Sequence, residues 1–392
     1  MADKIDPYNI KDKYFRWKTK ALKNGISGLT NANSQIIMQY LQDMEQGLNV
    51  ASSNKKGGRS PIRLNSIALR IGYLARGFQT KFSINLVDVE EQQLFSFFAD
   101  MRNGLIRKRN GSTYRSVGDY VKEMKAFWHW WQKVNRRKGI EIKDITQDLD
   151  KSQEKPDWVY LTEDQIKLLC ANAEYKYEVL IWFLFDSGIR SPTELVNVRV
   201  SDFHNDFKEL HIREETSKTF GRRIKLMICP KLVKEYVRQR NLSPEEYVFD
   251  IDPGSTNKCL KRLAKKVLGD MVSPAGQRYS ELTMYDFRHN SCCYWLPRYK
   301  SESALKYRFG WKKSEKIHYY SELLGMRDTI SEDDMLVDIT KTEIEHQLQK
   351  VMKEKELMQE QLTTLQDQVK VIGQLVKRLS VNILPMGVYS NS

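Results

Sequence analysis

The chain has 392 residues, of which 64 are Lys or Arg and 50 are Asp or Glu, giving a formal net charge of +14. This length exceeds what one hydrophobic core usually fills, so it predicts two domains and an extension. The basic surplus indicates a polyanionic partner, either nucleic acid or an anionic membrane surface. Because acidic residues are also plentiful, the composition argues against a disordered basic tail.

Membrane spanning, export and metal binding are all disfavoured by the sequence. The apolar run from Val179 to Phe185 is far shorter than the ~20 residues that cross a bilayer. The first residues lack the apolar segment of a signal peptide, so we predict a cytoplasmic protein without a membrane partner. The cysteines are odd in number and never spaced as C-x-x-C, which predicts reduced, mostly buried thiols and no zinc site. They are Cys170, Cys229, Cys259, Cys292 and Cys293.

Residues 1–145 are predicted to form a helical domain, because amphipathic stretches alternate with short polar connections and no strand-like alternation occurs. The stretches are Ser34–Leu48, Asn65–Phe78, Val89–Met101 and Tyr114–Val134. Two connections are basic and carry glycine, which suits contact with a phosphate backbone, although ordinary solvated surface is an equally common outcome for such loops. Their candidate DNA-binding residues are Lys55, Lys56, Arg59, Arg107, Lys108 and Arg109.

Four aromatic residues cluster in the fourth stretch, at Phe127, Trp128, Trp130 and Trp131. Aromatic side chains stack on bases in proteins that bind single strands. Aromatic residues at helical spacing among other apolar residues are more often part of a core. The core interpretation is therefore favoured here.

A polar, charged segment from Arg136 to Pro156 indicates a linker, assigned to residues 146–157, before a second domain over 158–327. Thr162 and Gln165 have capping-box spacing and open a helix. The apolar run from Val179 predicts a central buried helix that ends at Ser187-Gly188. Alternating segments at 209–213 and 223–228, joined by a polar tip, predict a β-hairpin. The second domain is therefore expected to be mixed α+β.

The C-terminal region, residues 340–380, has apolar residues at alternating steps of three and four. A seam sustained over roughly five heptads predicts a coiled-coil oligomerisation helix, with one long helix folded back on the second domain as the alternative. Only Lys355 interrupts the seam, whose apolar members are Ile344, Leu348, Val351, Met358, Leu362, Leu365, Val369, Ile372, Val376 and Leu379.

Four separated segments of the second domain, between Leu161 and Leu323, resemble the tyrosine recombinase, or phage integrase, family in order and spacing. They are Ser187-Gly-Ile-Arg190, Thr216-Ser-Lys218-Thr, Tyr285-Asp-Phe-Arg288-His289, and Gly310-Trp311 with Tyr320 ten residues after the glycine. Each segment alone is a weak signal, whereas coincidence of all four is improbable. The resemblance implies a multidomain protein with an all-α, SAM-like core-binding domain, an α+β catalytic domain and the C-terminal helix.

The resemblance also implies site residues by position. The family's two active-site arginines correspond to Arg190 and Arg288, its hairpin lysine to Lys218, its His or Trp after a glycine to Trp311, and its nucleophile to Tyr320.

Chemistry supports each of these roles. Attack on a phosphodiester creates an anionic transition state, which two bidentate guanidinium groups and an indole N–H would stabilise. A tyrosine hydroxyl held in line can form a covalent intermediate, and a hairpin lysine can protonate the departing oxygen. No metal or other cofactor is expected.

The sequence departs from the family pattern at several positions. One extra residue separates Arg190 from Glu194, the carboxylate that would orient it. Tyr285 stands where a His is typical, similar to archaeal variants, and a phenol is a poor base at neutral pH. Either Tyr285 only positions the phosphate or His289 acts as base. Tyr319 is a second choice of nucleophile, because adjacent residues on a helix point about 100° apart and only one can face the phosphate.

The sequence thus predicts a site-specific recombinase that cleaves and rejoins duplex DNA through a 3′-phosphotyrosine, without metal or ATP, for integration or excision of a mobile element. Its partners would be double-stranded recombination sites and three further copies in a tetramer. A prokaryotic or viral origin and a place at the nucleoid follow from the resemblance. Two alternatives stay open: a catalytically decayed DNA-binding protein of the same fold, and a type IB topoisomerase-like enzyme.

Overall fold

The computed structural model describes residues 5–48, 57–153, 155–299 and 301–324, together with single positions between 351 and 369. Compact unit 1 spans Met1–Leu324, and unit 2 spans Gly325–Ser392. Lys55, Lys56 and half of the apolar residues of the predicted C-terminal seam lie outside the described residues.

The described residues of the N-terminal part form five helices, including one, α1, that the sequence pattern did not indicate. Because helices bury apolar stripes against one another, the predicted core aromatics Phe127 and Trp130 are fully buried and Trp128 nearly so, while Trp131 is half-buried against the same core. The core interpretation of these aromatics is confirmed. The helices are α1 (Ile10–Asn24), α2 (Asn31–Glu45), α3 (Pro61–Phe82), α4 (Glu91–Arg102) and α5 (Val117–Arg136).

The segment after α5 is non-helical, as predicted for a linker, but part of it is packed. Ile145 and Leu149 are buried in the same hydrophobic cluster as α1 to α5. Because their sequence neighbours are mostly polar, the sequence pattern does not indicate that these two residues are buried. The first core therefore continues into the stretch assigned to the linker.

The second part of unit 1 is mostly helical and has one small antiparallel sheet. Helix α6 begins with both hydrogen bonds of the predicted Thr162–Gln165 capping box. The sheet has strand order β1-β2-β3, and the β2–β3 hairpin was predicted, whereas the two-residue β1 was not. The strands are β1 (Phe203–His204), β2 (Glu209–Ile212) and β3 (Arg222–Lys225). The helices are α6 (Glu163–Ala171), α7 (Tyr175–Ser187), α8 (Pro230–Gln239), α9 (Pro253–Leu268), α10 (Met284–Trp295), α11 (Glu302–Phe309) and α12 (Glu315–Leu323).

Helix α7 is the central buried helix of this part, and it ends at Gly188 as predicted. Gly188 has a φ of 59°, the left-handed conformation that glycine adopts without steric cost. An added Cβ would also lie 2.4 Å from the Phe309 ring. The helix end thereby brings Arg190 next to the end of α11.

Asp186, in the last turn of α7, connects three elements. Its Oδ2 accepts hydrogen bonds from the backbone N–H groups of Met227, Ile228 and Cys229 at 2.9, 2.6 and 3.0 Å. Its Oδ1 lies 3.2 Å from the Arg308 guanidinium of α11, and both side chains are buried. This pair fixes α11 against α7 and the segment after β3.

Replacing Asp186 by Ala should destabilise the protein by about 3–5 kcal/mol, because the Arg308 charge would lose its carboxylate partner and three backbone N–H groups would lose their acceptor in the interior. Denaturant unfolding measures this change. Asp164→Ala is the matched control, since the Asp164–Lys167 pair is exposed and worth less than about 1 kcal/mol. Equal losses in the two variants would contradict the assignment.

No described helix is long and apolar enough to cross a membrane. Among the same residues, no group of three or more His, Cys, Asp or Glu side chains is arranged to hold a metal ion. All five cysteines are free thiols, and four of them are buried.

Candidate active site

Arg190 and Glu194 form the first part of the candidate site, at the turn after α7. The Arg190 Nη1 donates to Glu194 Oε1 at 2.8 Å, and its backbone N–H donates to Glu194 Oε2 at 2.8 Å. The extra residue between them therefore does not prevent the carboxylate from orienting the arginine. A second arginine, Arg222 of β3, donates to both oxygens of Glu194 at 3.0 and 2.8 Å.

The Glu194 carboxylate is 1% exposed and remains ionised. Burial by itself would raise its pKa, but the hydrogen bonds and charges of Arg222 and Arg190 outweigh burial and lower the pKa to about 2. The carboxylate thus offsets part of the positive charge that two close guanidinium groups bring together.

Acid should lower the stability of the folded protein by protonating Glu194. Because its pKa is lower in the folded state, its contribution, about 3 kcal/mol, is present above pH 4.5 and is lost as the pH falls from about 4.5 toward 2. Urea unfolding of the wild type and Glu194→Gln at pH 5 and pH 3 measures it. We expect the stability difference between the two proteins to shrink at the lower pH, and a constant difference would contradict this account.

The end of α11 is held by three arginines through three successive backbone carbonyl oxygens. The C-terminal carbonyls of a helix lack partners within the helix and attract cations. The donor-to-acceptor pairs are Arg222 Nε to Arg308 at 2.8 Å, Arg288 Nη2 to Phe309 at 2.5 Å, and Arg190 Nη2 to Gly310 at 2.6 Å. Arg190 and Arg288, which lie far apart in the sequence, therefore meet at the end of α11.

Arg288 of α10 is 4% exposed. Its Nη1 donates to the Gly188 carbonyl oxygen, and its guanidinium lies over the Phe309 and Trp311 rings at 5.4 and 5.9 Å. Burial, followed by the nearby Arg190 charge, lowers its pKa to about 10, so the group stays protonated at neutral pH. A desolvated, fixed cation of this kind binds a phosphate more strongly than one in water.

Tyr320 of α12 lies beside this arginine cluster. Its ring stacks on Trp311 with a centroid distance of 5.9 Å and an angle of 12°. Its hydroxyl forms a hydrogen bond with His289 Nδ1, and the side chain is 3% exposed. Burial raises the pKa of the hydroxyl well above its usual value, so the group is neutral and needs a base before it can act as a nucleophile.

Tyr319, the second choice of nucleophile, points elsewhere. Its hydroxyl accepts from Trp158 Nε1 at 2.8 Å and donates to the Pro156 carbonyl oxygen at 3.2 Å. Both partners belong to the segment that precedes α6. The hydroxyl of Tyr319 therefore has structural partners, while that of Tyr320 meets an imidazole.

His289 and Tyr285 complete this side of the site. The His289 ring stacks on Trp158 at 4.8 Å and contacts the Tyr285 ring edge-on at 5.2 Å. Tyr285 is 45% exposed, so its hydroxyl is open to an incoming ligand. Of the two residues that the sequence offered as base, His289 is the one whose side chain forms a hydrogen bond with Tyr320 in the described part of the chain.

Lys218 lies in the hairpin connection and is exposed. Within the described residues it has no hydrogen bond or ion pair, but both sequence neighbours are tied to the site. Ser217 Oγ donates to Glu194 Oε1 at 3.2 Å, and Thr219 Oγ1 donates to the Gly310 carbonyl oxygen at 2.9 Å. These bonds place Lys218 at the rim of the arginine cluster.

The basic loops of the helical part lie apart from these contacts. Arg107, Lys108 and Arg109 are exposed between α4 and α5, and Arg107 donates to the Gly104 carbonyl oxygen at 2.9 Å. Arg59 is half-buried just before α3. Among the described residues, no hydrogen bond or ion pair joins Arg59, Arg107, Lys108 or Arg109 to the candidate site.

Arg222 is the main site residue that the sequence analysis missed. Arg222-Arg223 resembles an ordinary pair of surface charges at a hairpin tip. Alternation along β3 was the available signal, because Arg222 shares a sheet face with the buried Ile224, which predicts an inward-facing charge.

Comparisons with known proteins concern the family and the fold to which these residues belong. The sequence model of the phage integrase family matches residues 159–327. No curated protein matches the chain. The integrase of transposon Tn1549, solved with transposon right end DNA, is 12% identical over 80% of this chain and 98% of its own, with a TM-score of 0.54.

Two further solved structures have similar folds. The XerH site-specific recombinase, in a post-cleavage complex with a palindromic difH substrate, is 15% identical over 82% of this chain and 94% of its own, with a TM-score of 0.51. A lambda integrase dimer bound to a COC′ core site is 14% identical over 76% of this chain and 79% of its own, with a TM-score of 0.50. Residues 159–327 therefore match the sequence model of the phage integrase family and have the tyrosine recombinase catalytic fold.

Proposed function

We propose that this protein is a site-specific recombinase that cleaves and rejoins duplex DNA through a 3′-phosphotyrosine at Tyr320. One observation carries the proposal: the Arg288 guanidinium lies over the Trp311 ring, and the Tyr320 ring stacks on the same indole. A cation for the phosphate and a hydroxyl for attack on it are thereby adjacent.

Arg190 and Arg288 would bind the non-bridging oxygens of the scissile phosphate. In the absence of DNA their N–H groups donate to the carbonyl oxygens of Gly310 and Phe309. A phosphate is a stronger acceptor than a carbonyl, and guanidinium groups match its geometry bidentately. Phosphate binding should therefore draw these N–H groups toward the DNA, with the Trp311 indole N–H as a further donor.

The covalent step moves two protons. The Tyr320 oxygen attacks phosphorus while its proton passes to His289 Nδ1, and the bond from phosphorus to the 5′ oxygen breaks. Lys218 gives a proton to that oxygen, leaving a 5′ hydroxyl and the 3′-phosphotyrosine. Attack by a 5′ hydroxyl of another strand reverses the step and regenerates Tyr320, so no metal or nucleotide cofactor takes part. Tyr285 positions the phosphate.

Access to Tyr320 requires movement of α12. The hydroxyl is buried and bonded to His289, so it cannot reach a phosphate without a shift of the helix. Because α12 begins only four residues after Trp311, the rearrangement of the Arg190 and Arg288 bonds would be passed to it through this short connection. DNA binding and exposure of the nucleophile would thus be coupled.

The helical domain, residues 1–145, would act as a SAM-like core-binding domain on the opposite face of the duplex. Phosphate contacts from Arg107, Lys108, Arg109, Arg59, Lys55 and Lys56 would fix its register. Exchange between two duplexes needs four active protomers, hence a tetramer on paired sites that integrates or excises a mobile element. Such a substrate implies a place at the nucleoid in a prokaryotic or virus-infected cell.

A suicide-substrate experiment tests the proposal. Duplexes selected by binding from random sequence would be nicked close to the bound site and incubated with the full chain in EDTA. A covalent protein–DNA band on a denaturing gel, with strand-exchanged products on intact sites, is the expected result.

Other outcomes would contradict the proposal in distinct ways. Binding without any covalent band would favour a DNA-binding protein with a decayed site. A covalent band with supercoil relaxation but no exchanged products would favour a topoisomerase.

A further inference from the structure

An exposed apolar stripe follows the helix in unit 2. The described residues between 351 and 369 are helical. Val351, Met358, Leu362, Leu365 and Val369 are each 58–67% exposed. Aligned large apolar side chains left in water cost free energy, so such a stripe indicates a surface that another helix covers.

The stripe has coiled-coil register. Apolar residues repeat at alternating steps of three and four, which places them at positions a and d of a heptad. In this register Leu362 and Val369 are a residues, and Val351, Met358 and Leu365 are d residues. The same spacing runs through the sequence from Ile344 to Leu379.

The flanking positions favour a second copy of this chain as the covering partner. The described e and g residues, which lie beside the seam, are the uncharged Met352, Gln359, Gln361 and Gln366. Between Ile344 and Leu379 the sequence has two charged e or g residues, Glu345 and Glu354, and these do not face each other in a parallel pair. Identical neutral flanks do not repel each other, whereas coiled coils that select a different chain use complementary charges there. The chemistry of the seam is therefore self-complementary.

Lys355 limits the number of helices, because it occupies an a position between Val351 and Met358. A lysine in the seam of a two-stranded coil can extend its ammonium group to water along the interface, whereas the core of a larger bundle encloses it. We propose that this helix pairs two copies of the chain as a two-stranded coiled coil without DNA. A tetramer on DNA would then be a pair of such dimers.

Light scattering with size-exclusion chromatography of the full chain without DNA tests this proposal. We expect twice the 46.1 kDa chain mass for the wild type, and one chain mass for a Leu362→Glu/Leu365→Glu variant. Thr363→Glu, at an exposed b position, is the matched control and should stay dimeric. Lys355→Leu should strengthen association at least about tenfold, since it completes the seam.

A monomeric wild type, or a dimer insensitive to the seam variant, would overturn the proposal. A wild-type mass of four chains that falls in the seam variant would overturn the two-stranded form of the proposal. Circular dichroism of the full-length variants checks that they are folded. Because DNA cleavage plays no part, these results are independent of the proposed reaction.

A separate observation concerns Arg222, whose side chain is fully buried. Its Nη1 and Nη2 donate hydrogen bonds to the two carboxylate oxygens of Glu194, and its Nε donates to the Arg308 carbonyl oxygen. The bidentate pair fixes the plane of the carboxylate. The orientation of the carboxylate in turn determines where Glu194 accepts the hydrogen bonds from Nη1 and the backbone N–H of Arg190.

We infer that Arg222 is a positioning residue for Arg190, acting through Glu194 and touching no DNA. This inference rests on the proposed cleavage reaction. Arg222→Lys keeps a charge but loses the planar fork, so Arg190 would lose its orientation. The single-turnover rate of covalent complex formation should then fall about tenfold to a hundredfold, with DNA affinity within about twofold.

A pH profile separates positioning from a purely structural role. In Arg222→Met the carboxylate loses its main partner, so its protonation moves to higher pH and the acidic limb of the rate profile follows. The control is Arg223→Met, whose side chain is 61% exposed and pairs with Glu209. A covalent complex in the wild type with unchanged rate and pH profile in both Arg222 variants would overturn this inference, whereas no complex in the wild type would instead refute the reaction.

Discussion

Tyr320→Phe should bind DNA as the wild type does and form no covalent complex with it. The phenol oxygen is the atom that would bond to phosphorus, and phenylalanine has none. The ring can keep its stacking on Trp311, so the fold should be little affected. Denaturing gels with a nicked duplex, run beside native binding gels, measure the two properties separately.

Tyr319→Phe is the matched control, one residue away on the same helix. Its hydroxyl bonds to Trp158 and Pro156, so its loss should lower stability by about 1 kcal/mol and leave the covalent band in place. A band that disappears with Tyr319→Phe and survives Tyr320→Phe would reverse the assignment.

Arg288→Lys should slow cleavage on the order of 10²- to 10³-fold. A lysine cannot reproduce the fork that spans the Gly188 and Phe309 carbonyl oxygens and the phosphate, so a fixed donor to the transition state is lost. Because one positive charge remains, the variant should fold, which thermal melting checks. The single-turnover rate with saturating DNA is the quantity to compare.

Arg298→Ala is the control for this prediction. Arg298 lies just after the same helix, is 43% exposed and pairs with Glu163 on the surface. We expect a cleavage rate within about twofold of the wild type, since exposed pairs contribute little. An Arg288→Lys variant as fast as Arg298→Ala would show that Arg288 does not stabilise the transition state.

Local signals predicted much of the catalytic domain. The end of α7 at Gly188 follows from glycine in the left-handed conformation, and the start of α6 follows from a capping box. The hairpin follows from alternation on both sides of a polar tip. These features depend on a few neighbouring residues, which is why the sequence alone indicates them.

The meeting of Arg190 and Arg288 could be expected only from the family resemblance. Nothing in the 97 residues between them indicates that their guanidinium groups approach one helix end. The bond from His289 to Tyr320 and the separate direction of Tyr319 also depend on how α12 packs against α10. Tertiary packing, rather than propensity, sets these distances.

Arg222 shows what sequence reasoning overlooks. A charged residue at a hairpin is usually exposed, and burial of Arg222 is favourable only because Glu194 and the Arg308 carbonyl, both distant in the chain, meet it. The β1 strand was missed for a simpler reason. Its two residues, Phe203 and His204, are too few for any alternation to be visible.

The most direct test of the reaction is to identify the amino acid that carries the DNA. The covalent complex trapped on a nicked duplex in EDTA would be digested with protease and nuclease, and the nucleotide-bearing peptide sequenced by mass spectrometry. The account predicts a 3′-phosphate ester on Tyr320. A nucleotide on Tyr319 or any other residue, or a wild-type protein that binds its site and yields no modified peptide, would contradict it.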